Sequence, residues 1–557
     1  MNCLSRDEIH PHLQRNPNSP ISVMKKQNKA NERNTTMKKL FAILLASVMV
    51  CALCVTAFAA PADLSGHTYT AYQIFTGTQS DSADLAAIEW GSNISSAAFL
   101  SALQSSTDFG ASDPFAACAT ADDVASVLKD WSDNSANAKV FAKIALDNIT
   151  GTGIAVVNGA TTLEAGYYLI VDTTEDAEVY NLALLQLTKK GTFTIANKVD
   201  VPEVTKKVSD ASALICTETA ANHVHGKACY TWSDANKVAI GDTVLFSISS
   251  AVPAAAADYD YYYFIIGDTL ADGLTYTTGS IAVTIGGASA VEGSDYSVKF
   301  GADGKTFELA LHDAKTNAGK TVDVLYAATL NETAVIGTAG NRNEVSVTFS
   351  SNPNFKYNGT KNPTTPYTPG EDGAPEDSEK PGFPAPQDPG STTDIPTDET
   401  PKDITLTYTT ALKIYKVDQD SAPLSDVEFT LNGTASSTNV DGIVSFDGLN
   451  AGEYTLTETG TPDGYNSIDP INFEIICELP ATVADGTETC TWTVDTDADI
   501  EYNATSKTFE ITVVNQKGSV LPETGGIGTT IFYVLGGLLA AGAIILLVVK
   551  KRMSVEG

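Results

Sequence analysis

Residues 411–418 read ALKIYKVD. The β-branched and aromatic side chains favour a strand, and the two-residue period of a strand sets Leu412, Ile414 and Lys416 on one face. A lysine sharing a face with two aliphatics is an expensive choice for a structural role. Burial disfavours the ammonium form and lowers the amine's pKa, and the same burial keeps a neighbouring carboxylic acid protonated. The stretch therefore predicts a β unit with an inward-facing amine. The sequence around it continues the pattern with VEFTLNG, GIVSFDGL, GEYTLTETG, INFEIICEL, TCTWTV and KTFEITVVN, short runs divided by turn residues. They predict an all-β unit over residues 404–518.

A second β unit is predicted over 201–351, from DTVLFSISS, YYYFIIGDTL, SIAVTI, KTFELAL, TVDVLYAATL and EVSVTFS. Several short strands at this spacing suggest an immunoglobulin-like sandwich. At its start Val204, Lys206 and Val208 alternate onto one face, so Lys206 points inward and Lys207 toward solvent. Residues 60–200 mix signals and predict an α+β unit. LAAIEWGSNISSAAFLSALQ and ADDVASVLKDWSDNSANAKVFAKIAL carry apolar residues at helical spacing, whereas AGYYLIVDT and YNLALLQLT read as strands. Between the β units, residues 352–403 differ in kind. Eleven of the chain's 23 prolines fall between Pro353 and Pro401, among Gly, Ser, Thr and acids, and such a segment reads as an extended linker.

The two ends read as an address. Met37 to Ala59 has a basic start, an apolar run from Leu40 to Val55 and a small-x-small Ala57-Phe58-Ala59, the pattern of a signal peptide. Residues 1–36 are a polar extension or a misassigned start. Ile527 to Val549 lacks charge and is long enough to cross a bilayer of roughly 30 Å as a helix. Lys550-Lys551-Arg552 follows, which places the tail, residues 550–557, in the cytoplasm. The body between is exported, its precursor membrane-bound.

The chain carries 68 Asp and Glu against 34 Lys and Arg, a formal charge of −34, which excludes nucleic acid as a partner. Because both ends are basic, the exported body is more acidic still. Cys216 with Cys229, and Cys477 with Cys490, form two close pairs that would oxidise to disulfides outside the cell. Cys118 is left over as a buried or reactive thiol. A zinc site from Cys216, His223, His225 and Cys229 is the rival reading. An extracellular disulfide is preferred there, and no metal or other cofactor is expected. No Ser, Cys or His constellation suggests turnover of an external substrate, so the chain does not read as an enzyme.

Directly before the apolar span stands Leu521-Pro522-Glu523-Thr524-Gly525, LPETG. Motif, span and basic tail together look like the cell-wall sorting signal of Gram-positive surface proteins. In that family a pilus-class sortase cuts between Thr and Gly and passes the Thr carbonyl to an amine through an acyl intermediate. The order GHTYTAYQIFTG, GYYLIVD, IANKVDVPEVTKKV, DTLADGLTY, LKIYKVD, LTETGTPDGY, VVN and LPETG resembles the major (backbone) pilins of Gram-positive fimbriae over nearly the whole mature chain.

The resemblance implies a structural shaft subunit, cut between Thr524 and Gly525 and joined to a lysine of the next, identical subunit. Lys198 stands where that acceptor should be. The usual Tyr-Pro-Lys setting here reads Ala196-Asn197-Lys198, and Lys189 and Lys190 are nearby competitors. The third unit resembles the collagen-adhesin B-type fold, whose hallmark is an internal Lys–Asn amide. By that pattern Lys416 joins Asn515 with Glu458 as the acid. The middle unit implies the same with Lys206 and the acid Asp268, the amide coming from Asn343 or, alternatively, Asn341. These bonds form autocatalytically, by proximity and proton shuttling, with loss of ammonia. Tension between Lys198 and Thr524 would then cross each β unit through a covalent bond, with the proline-rich linker lying on the path. Ancillary pilins, peptidoglycan and host surface ligands are the further partners implied. The alternative is an ancillary pilin or singly anchored adhesin that never polymerises, and for that reading Lys198 need not be an acceptor.

Overall fold

The structure, a computed structural model, describes residues 60–61, 64–79, 84–110, 113–132, 135–174, 181–195, 200–210, 227–355, 367–369, 380–383, 396–518 and 528–553. It is mainly β, with three units in chain order followed by one apolar helix.

The first unit is built on β1 (Tyr69–Gln79), β2 (Leu85–Trp90), β3 (Gly166–Asp172) and β4 (Leu182–Leu187), in sheet order β2-β1-β3-β4. Three helices cover one face: α1 (Ser96–Ser105), α2 (Ala121–Leu128) and α3 (Ala136–Asp147). Leu85–Trp90, read above as helical, is a strand paired with β1. The reason is Gly91, whose missing Cβ would sit 2.1 Å from the Gln73 carbonyl oxygen. The chain turns there against β1, and the helix begins only at Ser96. The helices start where capping chemistry allows. Thr120 and Asp123 cap α2 reciprocally, and the Ser135 hydroxyl accepts from Ala138 N on α3. Phe75, Phe99, Phe115 and Phe141 form the core between helices and sheet.

The middle unit is a sandwich of two sheets. One runs β5 (Val204–Asp210), β7 (Thr243–Ala251), β11 (Thr321–Leu330) and then Ala282–Ile285. The other has the order β6 (Ala235–Lys237), β14 (Asp403–Tyr408), β12 (Asn341–Ser350), β8 (Phe264–Leu270), β10 (Thr306–Leu311), β9 (Tyr296–Phe300). Along β11 burial alternates, with Val322, Val324, Tyr326, Ala328 and Leu330 all inside, as a half-buried strand requires.

Two elements revise the boundaries. β13 (Thr397–Glu399) and β14 both pair with β12, with Ser350 opposite Thr397 and Asn343 opposite Thr405. Residues 397–403, read above as linker, and Ile404, read as opening the third unit, therefore belong to a middle-unit sheet. The shared strand explains the difference. The backbone of β14 satisfies its hydrogen bonds in the middle sheet, while Leu406 and Tyr408 pack into the core of the third unit. The sequence also gives no sign that Tyr367 and Phe383 are anchored. The Tyr367 N–H donates to the Gly293 carbonyl at 3.0 Å, and Phe383 is buried against Ile265 and Ala310.

The third unit is a smaller sandwich. One sheet is β17 (Ile443–Leu449), β15 (Thr410–Asp418), β22 (Thr508–Asn515) and β21 (Ile500–Asn503), with β15 and β22 parallel. The other contains β16 (Glu428–Leu431), β18 (Gly452–Gly460), β19 (Ile471–Glu478) and β20 (Thr491–Thr496). It sits directly on the middle unit: Trp492 Nε1 donates to the Gly337 carbonyl at 3.0 Å and Arg342 to the Asp485 carbonyl at 2.9 Å. The final helix, α4 (Gly528–Met553), contains the stretch Thr530–Arg552, apolar and long enough to span a bilayer.

Candidate functional site: two buried lysines with an acid and an amide

Lys206 and Lys416 are both fully buried, among the largest fully enclosed side chains in the described residues. Strand parity accounts for each. On β15, Leu412, Ile414 and Lys416 all face inward; on β5, Lys206 lies inside in step with Val208. Lys207 points the other way, half-exposed, and pairs with Asp234.

In the third unit Lys416 and Asn515 sit on neighbouring parallel strands, and Glu458 faces them from β18 in the opposite sheet. Asn515 Nδ2 donates to Glu458 Oε1 at 2.6 Å. Lys416 Nζ lies 3.9 Å from Glu458 Oε2 and donates to the Val513 carbonyl at 3.2 Å. Burial lowers the Lys416 pKa from 10.5 to about 8, against the opposing pull of Glu458. The Asn515 Oδ1 atom is buried with no hydrogen-bond partner.

In the middle unit Lys206 and Asn343 come from different sheets, β5 and β12, so a bond between them would cross the sandwich. Lys206 Nζ pairs with Asp268 on β8 and donates to the Tyr326 hydroxyl at 2.9 Å. That hydroxyl donates to Asp268 Oδ1 at 2.8 Å and accepts from Asn343 Nδ2 at 2.6 Å. Desolvation pushes the Lys206 amine down and the Asp268 carboxyl up, which together favour a neutral amine beside a neutral acid. Phe246 and Tyr326 wall the amine, each ring centroid 5.1 Å from Nζ.

Asn341 is placed differently. Its Oδ1 accepts from Val335 N at 2.8 Å, and its Nδ2 donates to the carbonyls of Val335 and Thr407. Both ends of that amide are occupied in holding a loop and β14. Asn343, by contrast, has a buried Oδ1 with no partner. Tyr326 was not legible as a site residue. Inward parity on TVDVLYAATL marks it as buried, but a buried tyrosine is ordinarily read as core.

Several sequence-derived residues lie outside the described residues: Lys198, Cys216, His223, His225 and the whole motif Leu521, Pro522, Glu523, Thr524 and Gly525. Of the acceptor competitors, Lys189 and Lys190 are exposed, and Lys190 pairs with Glu164. Asp200 lines a cavity of about 340 Å³ between the first and middle units, together with Lys139, Lys143, Asn181, Asp258 and Asn354. Cys118 and Cys229 are buried. Cys477 and Cys490 are buried too, their side chains in hydrogen-bonding contact.

Two family models match the chain. A prealbumin-like fold domain, SpaA, covers residues 410–493, beginning where β15 begins, and an LPXTG cell wall anchor motif covers 513–554. The Trypsin-resistant surface T6 protein of Streptococcus pyogenes serotype M6 is 24% identical over 491 residues, spanning 75% of this chain and 84% of that protein. These matches support a Gram-positive backbone pilin. With the anchor motif and the apolar helix α4, the chain is a cell-wall-anchored surface protein whose precursor is membrane-bound. Among solved structures, the T6 backbone pilin of S. pyogenes has a TM-score of 0.46 at 16% identity, covering 83% of this chain and 98% of that one. The full-length major pilin SpaD of Corynebacterium diphtheriae has a TM-score of 0.41 at 15% identity, covering 82% and 90%.

Proposed function

We propose that this chain is the shaft subunit of a sortase-assembled pilus, and that its two β units are locked by internal Lys–Asn amide bonds. The observation that carries the reading is the buried set Lys416, Glu458 and Asn515, immediately ahead of an LPXTG anchor. A pilus-class sortase cuts between Thr524 and Gly525 and transfers the Thr524 carbonyl to Lys198 of the next subunit. In the sequence Lys198 stands two residues before Asp200, and Asp200 lines the cavity between the first and middle units. Inside each β unit the neutral lysine attacks the asparagine carbonyl carbon and ammonia leaves. Proximity makes that step effectively unimolecular, and the buried acid moves the protons. Outside the cell Cys477 and Cys490 form a disulfide.

Cell-wall extracts boiled in detergent and blotted for this chain test the proposal. A ladder of covalent multimers is expected, and Lys198→Ala is expected to collapse it to one species. A ladder that persists in that variant overturns the acceptor assignment. A single band from the unaltered chain overturns polymerisation and leaves a singly anchored surface protein.

A further inference from the structure

The two buried sites differ in how the acid reaches the amide. In the third unit Glu458 touches Asn515 directly, its Oε1 accepting from Nδ2 at 2.6 Å. In the middle unit the acid is Asp268, one methylene shorter, and Asn343 Nδ2 donates instead to the Tyr326 hydroxyl at 2.6 Å. That hydroxyl is also the atom that accepts from Lys206 Nζ and donates to Asp268 Oδ1. One oxygen thus contacts the attacking amine, the acid and the group that must leave. We propose that Tyr326 is a catalytic residue of the middle-unit cross-link, relaying a proton from Asp268 to the departing nitrogen of Asn343.

The surroundings restrict the hydroxyl to this task. Tyr326 is 2% exposed, Asp268 is 2% exposed, and Lys206 and Asn343 are fully buried, so bulk water does not supply the proton. Phe246 stacks on the Tyr326 ring at 5.1 Å and Phe307 meets it edge-on, also at 5.1 Å, which fixes the ring. A tyrosine held this way costs little reorganisation during reaction.

The step balances. Neutral Lys206 Nζ attacks Asn343 Cγ, forming the new C–N bond and moving the carbonyl electron pair onto Oδ1. With Cγ tetrahedral, Nδ2 regains a lone pair. The Tyr326 hydroxyl, which before attack donates to Asp268 Oδ1 and accepts from Nδ2, turns its proton to Nδ2 and takes one from Asp268, and Asp268 takes the surplus proton from Nζ. The pair on Oδ1 re-forms the carbonyl as the Cγ–Nδ2 bond breaks. Ammonia leaves with its own two hydrogens and the one given by Tyr326. The proton lost from Lys206 ends on Asp268 and that of Asp268 on Tyr326, so both residues return to their starting protonation states. No other reactant is needed.

The inference rests on the internal amide bonds proposed above, and peptide mapping of the full chain by mass spectrometry separates the two claims. The unaltered chain is expected to yield linked peptides containing Lys206 with Asn343 and Lys416 with Asn515. Absence of both links overturns the cross-link reading itself. In Tyr326→Phe the Lys416–Asn515 link is expected to stay complete, serving as the internal control. The Lys206–Asn343 link is expected to form on the order of 10²-fold more slowly after refolding, the loss typical of a removed proton-transfer group. A link formed at the unaltered rate overturns the role of Tyr326. Fluorotyrosine at 326, which keeps the shape and makes the hydroxyl more acidic, covers the case in which the phenylalanine variant does not fold. A changed rate is expected there, and an unchanged rate overturns the relay, because a merely structural hydroxyl would not register the acidity.

Discussion

The backbone N–H of Ser351 donates to the carbonyl of Pro396 at 3.0 Å, so the proline-rich stretch leaves the middle unit and returns to it at one point. From there β13 and β14 run alongside β12, and only Thr409 separates β14 from β15 of the third unit. By composition alone the whole stretch would lie in line between two β units. The β12–β14 pairing offers a shorter route for tension, from Asn343 across to Thr405 and directly on toward Lys416.

A protease site inserted between Gly390 and Ser391 tests this arrangement. After cutting, the two halves are expected to co-elute on native size-exclusion chromatography, held by β12–β14 and by the Trp492–Gly337 contact. In denaturing detergent they are expected to separate, because each proposed amide bond lies wholly on one side of the cut. Separation under native conditions would put the stretch back in line.

Glu458→Gln removes the acid beside Lys416 and Asn515. The intact mass is expected to rise by about one ammonia, after allowing for the substitution. Stability toward urea is expected to fall by roughly 4–5 kcal/mol, the chain-entropy value for a cross-link closing a loop of this size. An unchanged mass difference would show that no bond depends on Glu458.

The pH dependence of the unlinked third unit follows from Lys416, whose pKa falls from 10.5 to about 8 on folding. A lysine with a depressed folded pKa binds fewer protons folded than unfolded between those values, so stability rises with pH through that window. The rise is about 3 kcal/mol in full. It is read as the difference between denaturation series of Asn515→Ala and of Asn515→Ala with Lys416→Met. The linked, unaltered chain is expected to lack this contribution, because an amide nitrogen does not titrate. A difference that stays flat from pH 7 to 10.5 would contradict the burial argument.

Gly337 holds the junction between the β units. Its φ is +100°, and a Cβ there would lie 2.5 Å from that of Lys507. Gly337→Ala is expected to destabilise by about 1–2 kcal/mol from backbone handedness alone, with more from the contact. The loss should appear in thermal melts, together with faster proteolysis around Thr338 and Thr489, where the bridge between Ala339 and Thr489 opens.

Much of the site was legible because strand parity is a local property. A period of two fixes which side of β5 and β15 each lysine faces, and ALKIYKVD could place Lys416 beside Leu412 and Ile414 without knowing their partners. Sorting motif, apolar span and basic tail are likewise local patterns, and so is the excess of acids. The choice of Asn343 over Asn341 was not local. The two residues share parity and burial, and what separates them is that Asn341 ties Val335 to Thr407 while Asn343 meets the Tyr326 hydroxyl from another sheet.

The sequence by itself determined that the chain is exported, acidic and anchored, that its body is built of β units, and that two lysines turn inward. Each of these follows from composition or from spacing within a few residues. Only the tertiary structure decided that β14 belongs to one unit by its backbone and to the next by its side chains, and that the proline-rich stretch begins and ends at one place. It alone joined Tyr326 to Lys206, Asp268 and Asn343. Those relations depend on which strands from distant parts of the chain come to lie side by side, and register between such strands is set by packing, which no local pattern records.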